Sequence, residues 1–512
     1  MARTNKKKAA LLFIDGIDVS SPGEYIDASS VTNSVNFDLD RKLIVKRTGT
    51  TQLGDVIGGT GVEIMNGTEF NREGTLYNVR IGLDKIERYN VGTSAWVDVT
   101  GTDLTGTTAD LVSIATPLLS GKRILTFTNN VDVIRKWTAT DNTEALGGTP
   151  PVAKFVQEYK TYLVAANVGG GTDISQRVQW SDTADPENWS TGNSGSVDLI
   201  EDGEDITGMG LFGDYLCIHK DKSIYLGYLS SSTDIFRFVR KSTGVGTVAN
   251  NSLQELPSGE QIFLAKDGIR IFNGISAPLI EAPINDEIRD SLNSQYAFKA
   301  WSVLVKEKDE VWIGIPIGSQ EVGETVYKFN YKSRVLYKDS RTNANAAWLG
   351  SASSSVSWDE MVGSWDNNLE RWNGSGLSEG AKQLNISTNL GFTSKVDLNA
   401  LADSGTTITA FLDTKIFQDT TINLARWKVM QLWAKGSSVK IEYSTDDGDT
   451  WSEVSNSPVT LTSSFPSGTS PIMLYFDVFS AQIKFRFTNS GADETLAIKQ
   501  FVVGYSSRES IT

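Results

Sequence analysis

A short pattern repeats along most of this chain: an aliphatic residue, two variable residues, an aromatic residue, then Asn or Thr. It reads IERYN at 86–90, IRKWT at 134–138, IRIFN at 269–273, VYKFN at 326–330 and LERWN at 369–373, with two looser members ending at Trp180 and Tyr228. The aromatic positions are Tyr89, Trp137, Trp180, Tyr228, Phe272, Phe329 and Trp372, at successive spacings of 48, 43, 48, 44, 57 and 43 residues. Each unit is rich in short alternating runs and Asn-Gly or Asp-Gly pairs, which are strand and turn signals. A period of roughly 40–50 residues in a strand-rich chain marks propeller blades, each a small sheet that buries its faces only against its neighbours. The expected class is therefore all-β, with a β-propeller of six or seven blades over 61–385. The repeated aromatics are read as packing between blades, in preference to a ladder of ligand-stacking rings.

The two ends of the chain break the period. After a Gly-, Ser- and Asn-rich stretch at 373–391, residues up to 512 hold about eight alternating runs, among them RWKVMQLWAKG and VKIEYSTDDGDTW. Short strands at such spacing predict an antiparallel C-terminal β-sandwich, assigned to 386–512. Residues 1–60 have few continuous apolar runs and read as an extended arm with short strands, ordered by lying on the propeller or on a neighbouring subunit. Helical periodicity is confined to 284–296, where Ile284, Ile288 and Leu292 recur every four residues.

Composition narrows the chemistry. One Cys and one His in 512 residues exclude an intrachain disulfide and any Cys- or His-rich metal site. Cys217 and His219 fall two apart in an alternating run, on one face of a strand, and read as packed residues. A formal charge of −15 excludes a general nucleic-acid binder, which needs a basic surface. The apolar run at 9–14 is too short for a secretory signal, and no stretch is long enough for a membrane-spanning helix.

Catalytic patterns are scarce. Acidic clusters at Asp182, Asp185 and Glu187, and at Glu201, Asp202, Glu204 and Asp205, offer carboxylates for a glycosidase or a loose calcium loop, but read best as solvated turns. STDDGDTW at 444–451 fits the Asp-box turn of sialidases, in which an Asp bonds the backbone of a hairpin. A single copy outside the repeats reads as structural. No phosphate loop, dinucleotide fingerprint, nucleophile elbow or zinc-protease motif occurs, so no catalytic residue, cofactor or metal is expected.

A set of strand and turn elements does carry a resemblance. RVQWSDTADPENW at 177–189 holds an Arg-x-x-Trp-Ser-Asp box followed by Asp-Pro-x-x-Trp. Downstream come a Lys-x-x-Ile-Tyr strand, a Phe-Arg-Phe strand, a Gly-x-Gly turn and the hairpin FLAKDG, while NSVNFD at 33–38 precedes LIVKRTG at 43–49. Over about residues 30–340 these elements resemble the tail nozzle or hub proteins of short-tailed phages, the tail tubular and tail accessory factors. The resemblance implies a propeller-based virion protein, made in the host cytoplasm without a signal peptide, that assembles as a homo-hexameric ring. It implies a head–tail adaptor or connector above, a tail fibre or spike below, and genomic DNA passing through without specific binding. The acidic charge suits such a channel. Lys6, Lys7 and Lys8 are the candidate partner contacts on the arm. The alternative is a propeller-based glycan hydrolase or host-binding adhesin with a carbohydrate-binding sandwich.

Overall fold

The computed structural model describes residues 6–507 apart from 12–15, 20–22, 24, 28, 41–42, 60, 170–173, 231–234, 281–283, 352–381, 419–423 and 467–469. The described chain is all-β, with one short α-helix, Asn285–Ser291. No helix among the described residues is long and apolar enough to cross a membrane. The helix is shorter than the 284–296 periodicity suggests. Asn285 does not cap it: its amide bonds Ile280 O and Ile269 N, fastening the helix start to the strand Gly268–Phe272 instead.

The repeated pattern maps onto one structural position. Up-and-down four-stranded sheets occupy 64–98, 113–145, 153–198 and 206–243, and a three-stranded sheet occupies 254–272. Tyr89, Trp137, Trp180, Tyr228 and Phe272 all lie on the third strand of their sheets, and Phe329 lies on the third strand of the next meander, 301–340. Apart from Tyr228 they are buried. The long spacing from Phe272 to Phe329 is filled by the helix and the turns that follow it. Trp372 lies outside the described residues.

The first strands of successive sheets stand beside one another in turn. Ile206–Phe212 lies against Ala153–Tyr159, Trp301–Val305 lies against Ala344–Gly350, and Ala344–Gly350 lies against Ile64–Arg72, so the last sheet meets the first. Where sheets face one another they share apolar cores: Phe70, Val79 and Ile86 with Leu125, Phe127 and Trp137, and Phe155, Val164 and Trp180 with Ile206, Leu216 and Tyr225.

The N-terminal segment is a strap through this arrangement. Val31–Val35 runs between Leu336–Ser340, parallel to it, and Ala410–Thr414, antiparallel to it, joining the 301–340 meander to the C-terminal strands in one continuous sheet. Phe37–Asp40 and Leu43–Lys46 form a hairpin on the edge of Leu496–Ser507. Thr50–Gln52 then becomes the fourth strand of the sheet begun by Ala344–Gly350. Gly49 is needed there because a Cβ would meet Ala402 O at 2.0 Å. The strand Lys6–Leu11, which carries Lys6, Lys7 and Lys8, pairs antiparallel with Leu496–Ser507 of the same chain, Lys6 opposite Ser506 and Leu11 opposite Phe501.

Two boundaries therefore differ from those drawn on composition. The cut between 385 and 386 falls inside the strand Gln383–Thr388, which pairs with Ala344–Gly350 and is followed by Thr393–Val396 in the same sheet. A polar linker signals chain direction but not strand partner, so pairing across the gap was invisible. The 386–512 segment is also not self-contained. Its strands up to Thr407 belong to the sheet of Ala344–Gly350 and those from Ala410 onward to two others, and Leu412, Trp427, Phe485, Phe487 and Phe501 share one apolar core with Phe37 and Ile44 of the strap.

Buried charges fasten the strap. Asp339 is fully buried; its Oδ2 lies 2.5 Å from Lys328 Nζ, 3.2 Å from an Arg341 nitrogen and 3.7 Å from Arg47 Nε. Lys328 also bonds Asp38 at 2.6 Å, while Arg47 grips Asp403 through both terminal nitrogens, at 2.9 and 2.5 Å. Burial opposes ionisation of Asp38 and Asp403, but Lys328 and Lys308 beside the first, and Arg47 and Arg341 beside the second, hold both carboxyls below their ordinary value.

Candidate functional site

Among the acidic residues singled out in the sequence, Asp182, Glu187 and Asp202 are consumed by the scaffold. Asp182 accepts from the backbone of Thr183 and Asn193 at 2.8 and 2.9 Å, clasping the loop that separates the last two strands of its sheet. Glu187 accepts from Lys136 Nζ at 2.7 Å and Gly147 N at 2.9 Å, tying that loop to the preceding sheet. Asp202 takes bonds from fully buried Lys220, from Ser223 and from Tyr225. These bonds outweigh burial and hold its carboxyl at about 2, so it is a fixed anion rather than a proton donor. Among the described residues no group of three His, Cys, Asp or Glu side chains is placed to hold a metal ion.

The 444–451 segment forms the expected hairpin turn. Ser444 Oγ accepts from Gly448 N at 2.8 Å and Asp446 accepts from Thr450 N at 3.0 Å, with Asp447 and Gly448 both at positive φ. The Arg486 guanidinium lies over the Trp451 ring at 4.2 Å, packing the turn onto the next strand.

Cys217 and His219 are fully buried on the strand Tyr215–Lys220. Burial pushes the thiol well above its ordinary value, which leaves it unreactive. Gln261 Nε2 donates to Leu211 O at 3.0 Å, which turns its Oε1 toward His219 Nε2 at 2.7 Å and makes that nitrogen the donor. Nδ1 has no hydrogen-bond partner. Burial therefore depresses the imidazole to about 4, against the pull of the Gln261 bond. As pH falls below the unfolded value of 6.5, the unfolded chain binds a proton that the folded chain refuses, so stability falls with pH until about 4. Unfolding free energy should drop by about 2 kcal/mol between about pH 7 and about pH 5, at roughly 1.4 kcal/mol per unit. Urea midpoints across that window measure it. His219 is the only histidine, so His219→Gln should flatten the slope, and an unchanged slope would refute this account.

The first strands of the sheets line a polar cavity of about 430 Å³. Glu69, Glu158 and Glu255 line it, with Asn66, Gln254 and Gln261. Each carboxylate is engaged: Glu69 with Ser351 Oγ at 2.6 Å, Glu158 with Arg123 at 2.5 Å and Glu255 with Gly213 N at 2.9 Å. Such a lining presents acceptors and negative charge to the cavity. It disfavours phosphate and offers no nucleophile with an adjacent base.

Sequence reasoning missed the buried charges at the strap. A signal was present: Lys46 and Arg47 end an apolar run, and Lys328 sits between Tyr327 and Phe329. A charge flanked by core residues inside a strand needs a buried counter-ion.

No protein-family model and no curated protein matches the chain. Among solved structures it is similar to the β-propeller domain of Cps50 (Swd1) from Myceliophteria thermophila, at 12% identity and a TM-score of 0.40, covering 69% of this chain and 98% of that one. It is also similar to BamB from Moraxella catarrhalis, at 11% identity and a TM-score of 0.35, covering 72% of this chain and 96% of that one.

Proposed function

We propose that this chain is a structural virion protein, a ring-forming tail nozzle or hub of a short-tailed phage, built as a seven-bladed β-propeller with a C-terminal β-sandwich. In this reading the sheets from 64 to 396 are the blades, and Thr50–Gln52 supplies the fourth strand of the last one, locking the first blade to the last. The observation that carries the function is the placement of the resembling motifs. Arg177 pairs with Asp198 at 2.7 Å, Trp180 Nε1 donates to Asn193 O and Trp189 Nε1 donates to Pro186 O. The elements shared with the tail proteins are thus architectural bonds of one sheet and its loop, which is what a scaffold family preserves. The −15 charge suits a body that passes DNA without retaining it.

The partners of this reading are further copies of the chain, an adaptor above and a fibre or spike below. Lys6, Lys7 and Lys8 stay candidates for the adaptor contact, on a strand at the margin of its sheet. Negative-stain micrographs of the purified full-length protein should show closed rings with a central channel, of six subunits. Compact monomers at micromolar concentration, or cleavage of a capsular glycan by the purified protein, would overturn the proposal.

A further inference from the structure

A second cavity, of about 640 Å³, lies where the strap, the end of the 301–340 meander and the 386–409 segment meet. That volume is within the range of roughly 300–1,000 Å³ typical of small-molecule sites. Its polar wall is made of hydroxyl side chains, Thr342, Ser394, Ser404, Thr406 and Thr407, and its apolar wall of Leu390, Phe392 and Phe411.

The charged groups of the wall are unequal. Arg47 has every N–H in use: Nε bonds Asn36 Oδ1 at 2.7 Å, and the terminal nitrogens bond Thr48 O, Ser340 O and both oxygens of Asp403. Arg341 is the opposite case. Its side chain is 5% exposed, and its one side-chain hydrogen bond goes to Asp339 at 3.2 Å. Its Nη1 is 3.9 Å from Asp403 Oδ1, beyond bonding distance, and its Nε has no partner. A buried guanidinium with unfilled donors lines this cavity, beside a carboxylate that is 27% exposed. Leaving such donors empty is costly, and a ligand that fills them gains accordingly.

The charge balance selects the ligand. An anion against Arg341 would sit beside Asp339 and Asp403, so like charges oppose it. A hydroxyl accepts from the guanidinium and donates to Asp403 at once, with no charge to repel. We propose that this cavity binds a neutral polyhydroxylated ligand, a saccharide, with Arg341 and Asp403 engaging adjacent hydroxyls and Phe392 and Leu390 covering a C–H face of the sugar. The proposal does not rest on the ring reading.

The test uses the full-length protein on an array of neutral oligosaccharides, with titration calorimetry on any saccharide captured. Thr407→Trp, at an exposed position of the wall, should fill the cavity and weaken binding at least tenfold without moving the thermal midpoint, and Arg341→Gln should weaken it comparably. Inorganic phosphate and citrate form the anionic arm and should not compete. The proposal falls if no neutral oligosaccharide binds by about 1 mM, the weak end of specific affinity. Full binding by Thr407→Trp, or displacement of the saccharide by phosphate or citrate, would equally refute it. A protein that forms rings yet binds no saccharide would refute this site alone.

Discussion

A chain beginning at residue 53 is expected not to reach the native fold. The strap it lacks supplies strands to three sheets, and removal would bare the edges of Leu336–Ser340, Ala410–Thr414 and Thr393–Val396. Open edges of this length invite pairing with other chains. Five buried apolar side chains leave with it, Ile17, Ile26, Val31, Phe37 and Ile44. At roughly 1.5–3 kcal/mol each, their burial is worth about 8–15 kcal/mol. A whole domain has a net stability of only about 5–15 kcal/mol, so this loss alone is decisive. The shortened chain should appear in the insoluble fraction, or as soluble aggregate without near-ultraviolet circular dichroism, and co-expression of residues 1–52 should restore soluble protein. A monodisperse shortened chain with a sharp melting transition would show that the strap is an accessory. Because the strap is part of the fold, truncation should abolish folding and any assembly together.

Asp339→Ala should be the most damaging single substitution. The change removes one carboxylate and leaves Lys328, Arg341 and Arg47 facing one another, with Lys328 1% exposed and Arg341 5% exposed. Breaking a buried ion pair from one side costs about 3–5 kcal/mol, because the remaining charge has neither water nor a partner. Asp38 and Asp403 soften the loss without replacing the carboxylate, since each is already bonded to Lys328 or Arg47. The control is Asp214→Ala, which removes a pair to Lys160 whose side chains are 88% and 43% exposed. Solvent screens that pair, so its loss should leave the midpoint close to that of the unaltered protein. Urea denaturation of both variants decides: equal midpoints would mean that the buried network contributes nothing beyond an exposed pair.

The two substitutions also show why one part of this protein was legible in the sequence and another was not. Trp137 and Phe272 could be placed in the core from their spacing alone, because each repeat must bury the same position against a neighbour of the same kind. Cys217 and His219 could be placed together because alternation fixes the face of a strand. The Asp446 turn was readable because its bonds run within eight consecutive residues. Asp339 gave no such sign: Arg341 and Lys328 are near it in the chain, but Arg47 comes from the strap, and burial of a charge is decided by what packs over it. The Arg341 cavity was equally hidden, since its walls come from residues 35–52, 340–344 and 386–411.

The sequence by itself determined the all-β class, the period of the sheets, the position of their aromatic residues and the poverty of nucleophiles and metal ligands. All of these follow from local residue order or from counts. The tertiary structure decided that residues 31–52 are a strap paired into three sheets of their own chain. It decided that Gln383–Val396 closes the sheet begun at Ala344, and that the terminal strands Lys6–Leu11 and Leu496–Ser507 lie side by side. Strand pairing is made by backbone hydrogen bonds, which are alike for every residue. Partners hundreds of residues apart are therefore chosen only when buried faces and buried charges come together in three dimensions.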